Sequence, residues 1–295
     1  MLVLADPVSV SIDTILLATD FSPESERAAA YAQAIARRYG SALEIAHVFD
    51  PSVVTTYEEA MIGLPVEARR QASEARLEEL RARLGSAGVV TRAVSLEAHR
   101  PAPALLAAAQ KHKVDLIVAG TQSKSGLERL LLGSTAEQLV RSSECPVLTV
   151  GPKARVPGDE PLVFRTIVYA TDFSAEAANA AVYALSFAED SQARLYCCYV
   201  RAAESESPAA TEVLDGDFLR ALKKMIPASS YDWCNPECVI AHGDAAAAIL
   251  GVADRVQADL ILLGARRASF WLAHVERGLT SRLLADAGCP VMTIS

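Results

Sequence analysis

The sequence predicts an α/β protein of two tandem domains, each a parallel five-stranded sheet with helices on both faces. Three observations predict it. A set of sequence blocks occurs twice in the same order, and within each copy short apolar runs alternate with amphipathic stretches. The chain has 295 residues, 51% of them hydrophobic, which suits two cores of ordinary domain size rather than one.

The repeat organises the whole chain. Thr14-Ile15-Leu16-Leu17-Ala18-Thr19-Asp20-Phe21-Ser22 returns as Thr166-Ile167-Val168-Tyr169-Ala170-Thr171-Asp172-Phe173-Ser174, an offset of 152, and His47-Val48 falls on Tyr199-Val200 at the same offset. Val114 to Gly120 returns as Ala258 to Gly264, and Cys145 to Val150 as Cys289 to Ile294, both at an offset of 144. The second copy is therefore eight residues shorter in its middle. The domains are placed at 1–152 and 161–295, with the Gly- and Pro-bearing segment 151–161 as linker.

In the first copy, strands are expected near 13–19, 43–49, 89–95, 115–119 and 146–150. These runs are continuously apolar, the pattern of strands covered on both faces. Helices are expected near 23–39, 66–84, 102–112 and 134–143, the first announced by Ser22-Pro23 as cap and first turn. Strictly alternating strands and helices imply a doubly wound parallel sheet with right-handed crossovers. The stretch 50–65 reads as a long connection flanking the sheet. Its counterpart 201–216, rich in Ser, Glu and Ala, reads as a mobile one.

The net charge is -8, divided as -3 and -5 between the halves, with no basic stripe in either, which disfavours nucleic acid as a partner. No apolar run is long enough for a membrane helix, and the apolar start lacks the basic leader of a signal peptide. Six irregularly spaced cysteines do not make a disulfide framework, so a reducing cytoplasm is the expected setting.

In an open parallel sheet, ligands sit beyond the carboxyl ends of the strands. The first copy places Ala18-Thr19-Asp20, Val48 and Ala119-Gly120 there, followed by Thr121-Gln122-Ser123 and, after a Leu-rich stretch, Gly133-Ser134-Thr135. Gly120 suits a sharp turn off a strand with no side chain against a ligand. Gly133-Ser134-Thr135 opens a helix whose first N–H groups, dipole and two hydroxyls suit a phosphate. Asp20 suits a ribose hydroxyl or a metal ion.

Gly120, two residues, Ser123, nine residues and Gly133-Ser134 resemble the nucleotide motif of the universal stress protein family, Gly-x2-Gly-x9-Gly-Ser/Thr. The Ala-Thr-Asp-Phe-Ser opening and the Cys-Pro-Val closing strand are also similar, and the resemblance covers nearly the whole chain as a tandem pair. It implies Rossmann-like domains of strand order 3-2-1-4-5 that pair through their last strands. It implies ATP in the first domain, with or without Mg. The base would lie near Val48 and Asp20, the ribose near Asp20 and Gly120, and the phosphates along Ser123, Gly133, Ser134 and Thr135. The chain departs from the motif at Ser123, where serine replaces the second glycine. The second copy departs further, holding Arg267, Arg277 and Gly278 at the motif positions with Phe270-Trp271 in the loop. That site is expected to be blocked or turned to another anion through Arg266, Arg267 and Arg277.

Plainer readings stand beside these. Ser134 to Glu137 also spells a capping box, Asp20 and Asp172 also suit helix caps, and His47 suits core, rim or base pocket equally. Cys234-x3-Cys238-x3-His242 lacks a fourth zinc ligand, so no metal site is assigned. Cys145, Cys289, Cys197 and Cys198 read as structural thiols. The functional expectation is a nucleotide-binding stress or regulatory protein with no catalytic residue assigned. A slow ATPase or ATP-using enzyme and a nucleotide-independent interaction protein are the alternatives. The two domains are expected to pair within the chain, with a homodimer and an unidentified protein partner left open.

Overall fold

The computed structural model describes residues 10–52, 63, 65–121, 133–158, 162–202, 207–264 and 277–295. The first half runs β1 (Thr14–Ala18), α1 (Pro23–Tyr39), β2 (Ala42–Phe49), α2 (Val66–Gly85), β3 (Thr91–Glu97), α3 (Pro101–His112), β4 (Leu116–Gly120), α4 (Ser134–Ser142) and β5 (Val147–Val150). The second repeats it as β6 (Thr166–Thr171), α5 (Ala175–Ser191), β7 (Arg194–Arg201), α6 (Pro208–Met225), β8 (Glu237–His242), α7 (Ala245–Val256), β9 (Leu260–Gly264), α8 (Arg277–Asp286) and β10 (Val291–Ile294). A 3-10 turn, Ala228–Asp232, precedes β8.

Local chemistry sets these boundaries. The Ser22 and Ser174 hydroxyls cap α1 and α5, accepting from the N–H of Ser25 and Ala177, and Gly40 ends α1 at φ 71. Asp115, just before β4, accepts from the N–H groups of Asp13 and Thr14, and Asp259 does the same for Arg165 and Thr166. That shared carboxylate, which pins the start of each first strand to the central one, explains why Asp survives in both copies. One expectation is corrected: much of 201–216 is not a mobile connection. Ser207 accepts from the Ala210 N–H and Pro208 stands in the first turn, so α6 begins there.

The strand order is β3-β2-β1-β4-β5-β10-β9-β6-β7-β8 in a single ten-stranded sheet. Each half is parallel in the order 3-2-1-4-5. The halves join through antiparallel β5 and β10, with Leu148 opposite Met292. One core lies under α1, α2, α5 and α6, and a second lies under α3, α4, α7 and α8; each runs unbroken across both halves.

The junction is self-complementary, as an isologous interface is. The Thr149 hydroxyl donates to the Val291 carbonyl (2.9 Å), and its counterpart Thr293 donates to Val147 (3.4 Å). Arg38 on α1 donates to the carbonyls of Leu162 and Asp190, and the Tyr31 hydroxyl to that of Arg155 (2.6 Å). The linker is docked. The Arg155 N–H donates to Gly288, its guanidinium to Gln257 (2.6 Å), and Lys153 pairs with Asp286 (2.7 Å).

Gly120 and Gly264 also share a steric purpose, beside the turn expected at Gly120. Neither has a positive φ. A Cβ on Gly120 would lie 2.6 Å from the Glu24 carbonyl and 2.8 Å from the Ser25 nitrogen, and one on Gly264 would lie 2.4 Å from the Ala177 nitrogen. Each glycine lets the first turn of the helix that follows its domain's first strand, α1 or α5, rest on the end of the central strand. Gly120→Ala and Gly264→Ala are therefore expected to destabilise the chain to a similar degree, about 1–3 kcal/mol each as for overpacked sites. Urea denaturation of the two variants measures this; a cost confined to Gly120→Ala would contradict a purely steric origin.

Candidate functional site

The turn from β1 into α1 is tightly built. Phe21 sits at φ 60, a region a non-glycine residue enters only when its neighbours hold it there. They do. The Phe21 N–H donates to the Thr19 hydroxyl (3.1 Å), the Ser22 N–H donates to the Asp20 carboxylate (3.0 Å), and the Thr19 N–H donates to Ala46 (2.9 Å). Asp20 therefore makes an Asx turn and leaves capping to Ser22, and Asp172 does the same with Ser174 (2.9 Å). The second copy repeats the strained backbone at Phe173, φ 62.

His47 locks this turn from β2. Its Nδ1 lies 2.8 Å from the Thr19 carbonyl, which only accepts, so Nδ1 carries the proton. The ring leans on Phe21, centroids 4.4 Å apart, and the Arg76 guanidinium covers the other ring at 4.5 Å. Burial holds His47 below the usual imidazole range. The Thr19 carbonyl and Asp20 work against burial, and Arg76 works with it. In the second domain Tyr199 takes this place against Phe173 (4.9 Å), and Phe218 of α6 stacks on Tyr199 (4.5 Å).

Beyond these strand ends opens a cleft of about 350 Å³, within the range of small-molecule sites. Its wall includes Ala18, Thr19 and Asp20 after β1, Val48 on β2, Ala119 and Gly120 on β4, and Gly133, Ser134 and Thr135 at the start of α4. Nine of the sequence-selected residues thus meet at one cavity. Gln122 and Ser123 lie outside the described residues, as do Arg266, Arg267, Phe270, Trp271 and the side chain of Arg277. Sequence reasoning missed Ser25, Ala46, Pro101, Leu105 and Ala136, which also line it. The Ala46, Pro101 and Leu105 wall is apolar, and its signal was the helical periodicity that placed Leu105 on the core face of α3. Asp20 is the only acidic or basic residue other than His47 on the described wall.

The capping-box reading of α4 is corrected. Gly133 is the N-cap, at φ -60 and ψ 133, and no side chain caps the helix. Ser134 is already helical, so Glu137 stands too far along to reach back, and it faces Arg141 instead (3.4 Å). The first-turn N–H groups of α4 have no acceptor within the helix, and Ser134, Thr135 and Ala136 border the cleft. The arrangement offers a concave apolar slot at one end and, at the other, a positive helix end whose first N–H groups have no acceptor within the helix.

The second domain is built differently at the same place. The Asp244 carboxylate caps α7 and pairs with Arg282 of α8 (2.7 Å), tying together the helices whose first-domain counterparts border the cleft. The equivalent positions in the first domain are Arg100 and Gln138. Gly243, at φ 101, makes the turn before that cap. His242 bonds Asp215 (3.1 Å), which also holds Arg201 (2.8 Å). Among the described residues no group of three or more His, Cys, Asp or Glu side chains is arranged to hold a metal. Burial raises the Cys145 thiol and pushes Cys289 up to about 12 and Cys198 to about 11.

The lowered His47 makes stability depend on pH. Below the ordinary value of 6.5 the unfolded chain takes up a proton that the folded ring resists, so stability falls as pH drops through this window and is unaffected above it. His47→Phe keeps the ring contact with Phe21 and removes the titration. Denaturation at about pH 8 and about pH 5 is expected to show a smaller loss in the variant than in the wild type; equal losses would remove His47 from this role.

The universal stress protein family model matches residues 11–151 and again 164–295. A universal stress protein of Thermus aquaticus is 40% identical over 140 residues, 46% of this chain and 97% of the relative. One from Methanocaldococcus jannaschii is 34% identical over 144 residues, 46% of this chain and 80% of the relative. Two solved structures share the fold over both halves. A universal stress protein from Archaeoglobus fulgidus has a TM-score of 0.66 at 17% identity, over 96% of this chain and 98% of that one. A putative universal stress protein from Pseudomonas aeruginosa has a TM-score of 0.63 at 15% identity, over 96% and 93%.

Proposed function

We propose that this chain, which belongs to the universal stress protein family, binds ATP in its first domain and serves a regulatory or stress-protective role without significant turnover. The observation that carries the reading is the uncapped N-terminus of α4 facing a cleft at the strand ends of the first domain. Base and ribose would occupy the part of the cleft lined by Val48, Ala18 and Asp20, with Leu105 and Pro101 as apolar cover. The phosphates would meet the N–H groups of Ser134, Thr135 and Ala136 and the two hydroxyls. On the described wall, the attraction for the phosphates would come from the helix end. A Mg²⁺ ion would arrive with the phosphates, and Asp20 is the carboxylate on the wall that could join its shell.

What stands on the described wall of the slot supports binding without turnover. The ionisable groups on the described wall are Asp20, engaged in its Asx turn, and His47, half-buried and donating to Thr19. Neither is arranged as a nucleophile with its own base. The second domain acts as scaffold, its matching helices joined by Asp244 and Arg282.

Native mass spectrometry with added ATP tests the reading. One ATP per chain is expected for the wild type. Gly133 has an ordinary backbone conformation, so Gly133→Leu is expected to fold while losing ATP by filling the mouth of the helix. Saturating ATP should also raise wild-type stability, by about 2.7 kcal/mol at a hundredfold excess over Kd, and leave the variant unchanged. An ATP-indifferent wild type, or a variant that still binds, would overturn the assignment. Steady phosphate release lost in the variant would establish turnover instead.

A further inference from the structure

Three of the six cysteines converge on one face of the second domain, and nothing in nucleotide binding uses them. Cys197 on β7 and Cys238 on β8 are register partners. Cys197 and Cys234 are buried in the core under α5 and α6, and Cys238 packs half-buried against that same core. The two strand thiols therefore leave the sheet on the same side. Neighbouring strands lie about 4.8 Å apart, inside the roughly 4.4–6.8 Å between Cα atoms that a disulfide spans. β8 is the last strand of the sheet, held by a neighbour on one side only, so it can close the remaining gap between thiols more readily than an inner strand. In the first domain the matching register pair is Ile45 and Ala93, so the feature belongs to the second domain alone.

We propose that Cys238 and Cys197 form a peroxide-responsive dithiol that staples the edge strand to its neighbour. Cys238 is the more accessible of the pair. Its thiolate attacks one oxygen of hydrogen peroxide, the O–O bond breaks, and Cys238 becomes a sulfenic acid with release of water. The Cys197 thiol then attacks the Cys238 sulfur, giving the disulfide and a second water. Two thiols supply two electrons, and one peroxide is reduced to two waters. Burial raises both thiols, Cys197 most, while Lys223 beside Cys238 pulls that one down. The order of attack follows, as does a slow reaction that quickens as pH rises.

The test uses the full chain exposed to hydrogen peroxide, alkylated and digested without reduction. Two of the six thiols should be lost per chain, with one cross-link joining the peptides that carry Cys197 and Cys238, reversed by dithiothreitol. Cys234→Ser should keep the cross-link, while Cys238→Ser and Cys197→Ala should lose it; the alanine keeps the buried site apolar, and circular dichroism checks that each variant folds. A bridge from Cys238 to Cys234, a cross-link surviving in Cys238→Ser, a Cys238 sulfinic acid without any bridge, or six unreacted thiols would each overturn the proposal.

Discussion

The antiparallel pairing of β5 with β10 is the constraint on which the rest of the molecule depends. Each half is a parallel sheet that ends on a strand of four residues, whose outer N–H and C=O groups would be unpaired if it stood alone. Joining the two closes both inner edges at once and makes each core continuous across the chain. Leu148 and Met292 meet at the centre, and Thr149 and Thr293 spend their buried hydroxyls on each other's strands. The long, exposed edges are left at β3 and β8, the far ends of the sheet.

The two halves separate which repeated residues serve folding and which serve a site. Thr19-Asp20-Phe21-Ser22 and Thr171-Asp172-Phe173-Ser174 adopt the same strained turn with the same internal bonds, so the motif specifies the strand-to-helix connection whether or not a ligand is near. Gly120 and Gly264 both survive because a helix rests on them. What differs lies at the far side of the cleft: an uncapped α4 in one copy, and α7 and α8 joined by Asp244 and Arg282 in the other. His47 against Tyr199 belongs to the same divergence, since the tyrosine keeps the ring contact and drops the imidazole's bond to the turn.

Much of this was legible in the sequence. Apolar runs and the repeat offsets located the strands to within a residue or two, because a parallel strand covered on both faces is built largely of apolar side chains. The cleft residues were legible because β–α topology forces the carboxyl ends of β1, β2 and β4 together. Local patterns misled where tertiary context overrode them. Ser134 to Glu137 spells a cap, yet Gly133 takes the cap position. A Ser- and Ala-rich run reads as loose, yet Ser207 and Pro208 start a helix in it. Glycine at the end of β4 suggested a turn but gave no hint of the helix, far earlier in the sequence, that rests on it. Pairings such as Cys197 with Cys238, or Tyr31 with the linker, depend on register and docking, which no local pattern encodes.

The docked linker changes the terms on which the two halves hold together. A linker of this length keeps one half at an effective concentration of order millimolar around the other, so their association does not vary with protein concentration as that of separate subunits does. In a symmetric pair of identical chains every substitution is made twice, and any change that spoils a pocket spoils both. Here each pocket can be altered alone while the other half continues to complete the sheet. Covalent fusion across β5 and β10 thus turns a symmetric assembly into one whose halves are free to specialise, and the arginine and tyrosine substitutions in the second half are the kind of change that freedom permits.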